Sequence, residues 1–209
     1  MTAKTKTNGY PLEVPDLKNF APERLSTMKI GIENDNYLQY AIKNKAFPAC
    51  VYLLTLQSAT FDLAFKNGSG NNCLHLAVKT GEVRFLRLVL LKLAFLDGGG
   101  DQDYDMRCYN MKTLKDLSQA ENKKGFSPLM LAVDEGDFLV FRCLLEITYY
   151  HDQQVTDASR RLLPGLMKAK CQSKKETCLL KASRLNQLEM VYSILHLIIK
   201  EAVPFDVAL

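Results

Sequence analysis

Cys73 and His75 are separated by one residue in "GNNCLHLAVKTGE", residues 70–82, and a thiol beside an imidazole is a pairing that nucleophilic catalysis uses. Cys178 takes the same place in a related stretch, "KETCLLKASRL", with no histidine near it. The shared position therefore points to a thiol at the start of a helix and a histidine engaged in hydrogen bonding. The glycines at 68, 70 and 81 lack the following Lys-Ser/Thr of a phosphate loop, and no strand precedes them. Asp101, Asp103 and Asp105 have the spacing of the first three ligands of a calcium loop. Met106 stands where that loop needs glycine, however, and Lys112 where it needs a bidentate glutamate, so the stretch reads as a solvated acidic loop. Six cysteines are scattered without a CxxC spacing among three histidines, which suits free thiols in a reducing compartment better than disulfides or zinc. No metal and no cofactor is expected.

Whatever these residues do depends on the elements that hold them. The chain's 209 residues are 47% apolar and 24% charged, the balance of a globular protein able to bury a core without disulfides or metals. Its 27 basic and 23 acidic residues leave a net charge of +4, too small an excess to argue for nucleic acid. The first twenty residues hold lysines and prolines but no apolar run of signal-peptide length. The most apolar stretch, Phe85 to Leu96, is interrupted by Arg87 and Lys92 and falls short of the roughly 20 residues needed to span a bilayer. The expected location is the cytoplasm, with the nucleus as the alternative.

The opening stretch recurs. "GNNCLHLAVKTGEVRFLRLVL" from Gly70 aligns without gaps with "GFSPLMLAVDEGDFLVFRCLL" from Gly125 and "KETCLLKASRLNQLEMVYSIL" from Lys175, and a degenerate copy, "NDNYLQYAIKNKAFPACVYLL", begins at Asn34. Each copy opens on a residue able to accept hydrogen bonds from first-turn amides: Asn36, Asn72, Ser127 and Thr177. A Leu and an Ala three residues apart follow, a large and a small side chain on one helical face, which lets two helices approach closely. Gly81, Gly136 or Asn186 then fits a left-handed helix stop, with Lys45 in that register in the first copy. A second apolar period begins after the stop, as in Val83, Leu86, Val89 and Leu90 or Phe138, Phe141, Leu144 and Leu145. The unit is helix, tight turn, helix, and Cys50 and Cys143 fall among the core positions of second helices.

This pattern resembles the ankyrin repeat, with its glycine, Thr-Pro-Leu-His, x-Ala, Gly-His turn and outer helix ending in Leu-Leu. "SPLMLAVDEGDFLVFRCLL" is the fullest match, and "NCLHLAVKTGEVRFLRLVL" keeps the histidine. The resemblance implies an all-α ankyrin-repeat solenoid of about four helix-turn-helix units over residues 26–209. A segment at 1–25, partly disordered or packed on the first unit, would precede it. Leu38, Leu74, Leu129 and Leu179 follow one another at 36, 55 and 50 residues, where the family has about 33. The second and third units therefore carry long insertions of about 22 and 17 residues, expected to extend the outer helices or project on the loop side. The ending, "KEAVPFDVAL", is expected either to belong to a longer protein or to let Val207 and Leu209 cap the last helices or enter a partner groove.

Fold alone does not fix function. What the resemblance implies is a non-enzymatic scaffold that binds a protein partner through finger loops and a concave inner-helix surface, on a frame that loses little ordering entropy. Carried over position by position, the contact candidates are Lys43 and Asn44 in the first unit and Ser69, Asn71, Lys79 and Thr80 in the second. The third offers Lys123, Lys124, Phe126, Asp134 and Glu135, and the fourth Ser173, Lys174, Glu176, Arg184 and Leu185. Stacking would bring the pairs Lys123–Lys124 and Lys174–Lys175 together at the finger edge, facing solvent or an acidic protein. No aromatic ladder accompanies them, so direct nucleic-acid contact is not expected. Phe126 is either a binding hot spot at a finger tip or a side chain packed under the neighbouring insertion. The loose spacing, the "SPLMLAV" unit and the reduced thiols look like the inhibitor-of-NF-kappaB branch, whose members hold transcription factors. A viral or bacterial ankyrin effector, or a signalling adaptor, would show the same residues.

Overall fold

The structure, a computed structural model, describes residues 28–55, 62–95, 117–154, 163–171 and 175–201. The 1–25 segment, the acidic run Asp101–Asp105, Ser173, Lys174 and the last eight residues lie outside them. Four helix pairs follow in order: α1 (Tyr37–Lys43) with α2 (Phe47–Thr55), α3 (Cys73–Lys79) with α4 (Val83–Phe95), α5 (Pro128–Glu135) with α6 (Phe138–Gln154), and α8 (Cys178–Arg184) with α9 (Leu188–Glu201). A shorter helix, α7 (Leu163–Lys168), belongs to the second insertion.

Two left-handed residues per unit explain why the inner helices are so short. A residue at or just beyond the cap that ends each inner helix has positive φ, at Lys45 (56°), Gly81 (71°), Gly136 (73°) and Asn186 (56°). The turn that precedes each inner helix has another, at Asn34 (54°), Gly70 (77°), Gly125 (73°) and Lys175 (54°). Glycine and asparagine enter this region most readily. Asn36, Asn72, Ser127 and Thr177 act as the expected N-caps, accepting from the amides of Gln39 (2.8 Å), His75 (3.0 Å), Met130 (3.3 Å) and Leu180 (3.4 Å).

The inner helices α1, α3, α5 and α8 pack side by side in one row and the outer helices in a second, with each pair closed on itself. Leu38, Leu74 and Leu129 with Ala41, Ala77 and Ala132 fill the space between them, all buried, as the Leu-x-x-Ala spacing requires for close approach. Cys50 and Cys143 lie in this core. The second insertion first lengthens α6 to 17 residues and then returns as α7. Leu163, Leu166 and Met167 of α7 are buried, and the Leu163 amide donates to Asp152 of α6 (2.7 Å). This insertion is thus part of the solenoid's packing. Among the described residues no helix is long and apolar enough to cross a membrane.

Candidate functional site

The second and third fingers are each a turn wrapped around one side-chain carbonyl. In the second, the Asn67 Oδ1 accepts from the amides of Ser69 (3.1 Å) and Asn71 (3.0 Å), and in the third the Asn122 Oδ1 does the same for Lys124 (2.9 Å) and Phe126 (3.1 Å). The same asparagines tie neighbouring fingers together. Asn67 Nδ2 donates to Asp35 (2.6 Å), and Asn122 Nδ2 donates to Asn71 Oδ1 (3.0 Å). Backbone bonds add to this ladder, from the Gly68 amide to the Glu33 carbonyl and from the Lys123 amide to the Ser69 carbonyl (3.1 Å). Buried and mutually satisfied polar groups of this kind hold backbone in one geometry. The fingers therefore present their outward side chains from a fixed frame.

His75 joins the ladder from below. Its ring is fully buried, and Nε2 faces the Phe126 carbonyl at 2.9 Å, so Nε2 carries the hydrogen and donates. Nδ1 lies 3.4 Å from the Asn72 amide and 2.7 Å from Asn72 Oδ1. A charged ring could donate to both oxygens. Burial opposes that charge and pushes the pKa down to about 4. The Cys73 thiol is fully buried as well, and desolvation drives its pKa far upward. A neutral, engaged imidazole and an unexposed thiol do not form a nucleophile and base.

The structure sorts the contact candidates. Lys43 is exposed but ion-paired to Glu33 (3.0 Å) and Asp35 (3.4 Å), and the hydrogen bond from Lys43 holds the Glu33 carboxyl below its ordinary range. Arg184 is likewise occupied, donating from Nε and Nη2 to Glu176 at 2.9 and 3.2 Å. Lys79, Lys123, Lys124 and Glu135 are exposed. Two of the candidates are covered. Thr80 is only 6% exposed, because its hydroxyl donates to the Ala77 carbonyl (2.7 Å) and accepts from the Glu82 amide (3.1 Å), closing the turn. Phe126 is not an open finger tip: it is 9% exposed, and its ring lies under the Lys181 ammonium, 4.0 Å from the centroid. Its cover comes from the next inner helix.

Lys181 is a feature that sequence reasoning missed. It occupies the register of Leu76 and Leu131, is 3% exposed, and pairs with Asp134 at 2.7 Å. Asp134, expected to face a partner, is thereby engaged from inside. Buried ion pairs seldom stabilise more than an apolar replacement, whereas removing one partner leaves an unpaired charge. Lys181→Leu is accordingly expected to leave stability unchanged or raised, and Asp134→Ala to lower it by about 2 kcal/mol. Urea unfolding of both variants checks the pair. Ile32 was missed too. It is fully exposed on the first finger, in the register of Gly68 and Lys123, and the signal was its place one residue before the tip in a copy whose other landmarks are degenerate.

No protein-family model and no curated protein matches the chain. Among solved structures it is similar to the ankyrin repeat domain of Bcl-3, described as a unique member of the IkappaB protein family, with a TM-score of 0.54 and 22% sequence identity. The match covers 85% of this chain and 60% of that one, so the chain spans about three fifths of its neighbour's length. At this identity the likeness is one of fold. Four stacked helix pairs with matching finger and turn registers make the protein an all-α ankyrin-repeat solenoid with long insertions.

Proposed function

We propose that this protein is a protein-interaction module that binds its partner through the finger edge and the adjoining ends of the inner helices. The observation that supports this reading is a division of labour among charges. Lys43 and Arg184 are held by carboxylates, whereas among the described residues no carboxylate pairs with Lys79, Lys123 or Lys124. Lys123 and Lys124 stand on the third finger and Lys79 on the last turn of α3, while Ile32 is exposed on the first finger, and the asparagine ladder ties these fingers together. Unpaired cations flanking an apolar side chain on a preorganised edge fit an acidic protein segment that carries one large apolar anchor. Glu135 would exclude partners that are acidic at its end.

Within that class, the finer reading is an inhibitor-of-NF-kappaB-like regulator that sequesters a transcription factor in the cytoplasm or nucleus, with an effector or adaptor of another pathway as the alternative. The partner is a protein in either case. With the captured partner in hand, Lys79→Glu and Lys124→Glu are each expected to weaken binding about tenfold, and raising the salt to weaken it further. Isothermal titration reads both. Unchanged affinity in both charge reversals, with helicity retained, would remove the finger edge from the interface.

A further inference from the structure

Helix α9 carries an apolar stripe along its exposed side, bordering the groove toward α6 at Tyr192. Leu188, Tyr192, Leu195 and Ile199 are 59%, 70%, 38% and 81% exposed, and they follow one another at intervals of four, three and four residues. On a helix that spacing draws one narrow seam of the type by which two helices pack together. The core side of α9 is separate, made by Met190 and Ile194, both buried. The groove between α9 and α6 begins at the stripe's edge, where Tyr192, Ser193 and His196 line it with Arg142 and Glu146.

The repeat register shows that this face is built for stacking. Leu54, Leu90 and Leu145 stand where Leu195 stands and are 7%, 2% and 3% exposed. Gln39, His75 and Met130 stand where Leu180 stands and are buried against the following unit, while Leu180 is 44% exposed. In those units the next unit supplies the cover.

We propose that a second copy of this chain covers the seam, with the two α9 helices packed antiparallel about a two-fold axis. The interval pattern four, three, four reads the same in both directions. An antiparallel copy therefore places Leu188 opposite the partner copy's Ile199 and Tyr192 opposite its Leu195, which is the self-complementarity a two-fold interface requires. The area is sufficient. At about 200 Å² for a fully open large side chain, the stripe offers roughly 500 Å² of apolar surface per copy, and two copies reach the roughly 1,000 Å² that a specific interface must clear. The finger edge lies on different residues, so this association is independent of the partner binding proposed above.

Sedimentation equilibrium of the full chain from low to high micromolar concentration tests the proposal. The expected result is a monomer–dimer equilibrium that Leu195→Glu with Ile199→Glu weakens at least 100-fold, while circular dichroism and the dilute-sample melting temperature stay as in the parent. A second variant tests the geometry. Leu188→Lys alone breaks the dimer and Leu188→Lys with Ile199→Glu restores it, since the two new charges meet across the axis. A chain that stays monomeric throughout, or a dimer that the double glutamate variant leaves intact, overturns the proposal. So does a monomer that dimerises only when Phe205→Asp is introduced, because residues of the same chain beyond Glu201 would then be the cover.

Discussion

Gly70→Ala is expected to lower the stability of the chain by about 3 kcal/mol, and Gly31→Ala by about 1 kcal/mol. Both glycines have positive φ, 77° and 69°, so both substitutions carry the conformational penalty of a side chain in the left-handed region. Their surroundings differ. A Cβ on Gly31 meets nothing within 4 Å, whereas one on Gly70 would stand 2.7 Å from the Lys123 backbone nitrogen and 3.2 Å from backbone atoms of Asn122. Backbone cannot rotate away as a side chain can. To make room, the third finger must withdraw from the second, and that strains the Lys123 to Ser69 and Asn122 to Asn71 bonds. A difference of about 2 kcal/mol moves the melting temperature of a chain this long by about 6 °C. Equal losses in the two variants would show that the fingers are not coupled.

Replacing His75 gives the second large effect, and the solenoid itself supplies the control. Gln39 stands in the same register of the first unit. Its Oε1 accepts from the Asn36 amide (3.1 Å), and its Nε2 donates to the Phe65 and Asn71 carbonyls of the next finger (2.7 and 3.2 Å). His75 performs both tasks one unit later. His75→Ala removes the cap contact and the cross-finger bond and leaves a cavity, at about 3–4 kcal/mol. His75→Gln is expected to keep most of the stability at pH 7. The two should separate in acid. The folded-state pKa of about 4 lies below the ordinary 6.5, chiefly through desolvation, so the unfolded chain takes up a proton that the folded chain refuses. Stability is fully present above pH 6.5 and is lost as the pH falls toward 4, by about 3 kcal/mol at 1.36 kcal/mol per pKa unit. In His75→Gln this loss is absent. Urea titrations at pH 7 and pH 4.5 measure it, and parallel losses in parent and His75→Gln would place the acid sensitivity elsewhere.

Much of the fold is legible in the sequence because the solenoid repeats its signals. Asn72 and Ser127 announce helix starts, Gly81 and Gly136 announce stops, and Leu-x-x-Ala sets the packed face, all local features that need no tertiary information. The first and fourth copies are harder to read because Lys45, Asn34, Lys175 and Asn186 adopt the left-handed conformation without being glycine, and only the shared register reveals them. The contact surface is less legible. Exposure depends on the neighbouring unit, so Phe126, placed at a finger, reads equally as a hot spot or as a packed side chain until Lys181 of the next inner helix is laid over it. Thr80 reads as a surface residue because its hydroxyl's partners are backbone atoms, which a side-chain pattern does not display. The packing of α7 depends on the bond to Asp152, eleven residues away, and on contacts with α6. No periodicity announces them.

Whether the finger edge is where this protein meets its partner is decided by affinity capture with in-complex cross-linking. The bait is compared with a variant carrying Ile32→Asp, Lys79→Glu and Lys124→Glu, at matched helicity. A variant with Arg142→Glu, on the outer-helix face, serves as the control. The expected result is a protein retained by the parent and by the outer-face variant, cross-linked at Lys79, Lys123 or Lys124, and lost by the finger-edge variant. A protein retained equally by all three, with cross-links confined to the outer helices or the insertions, would contradict it.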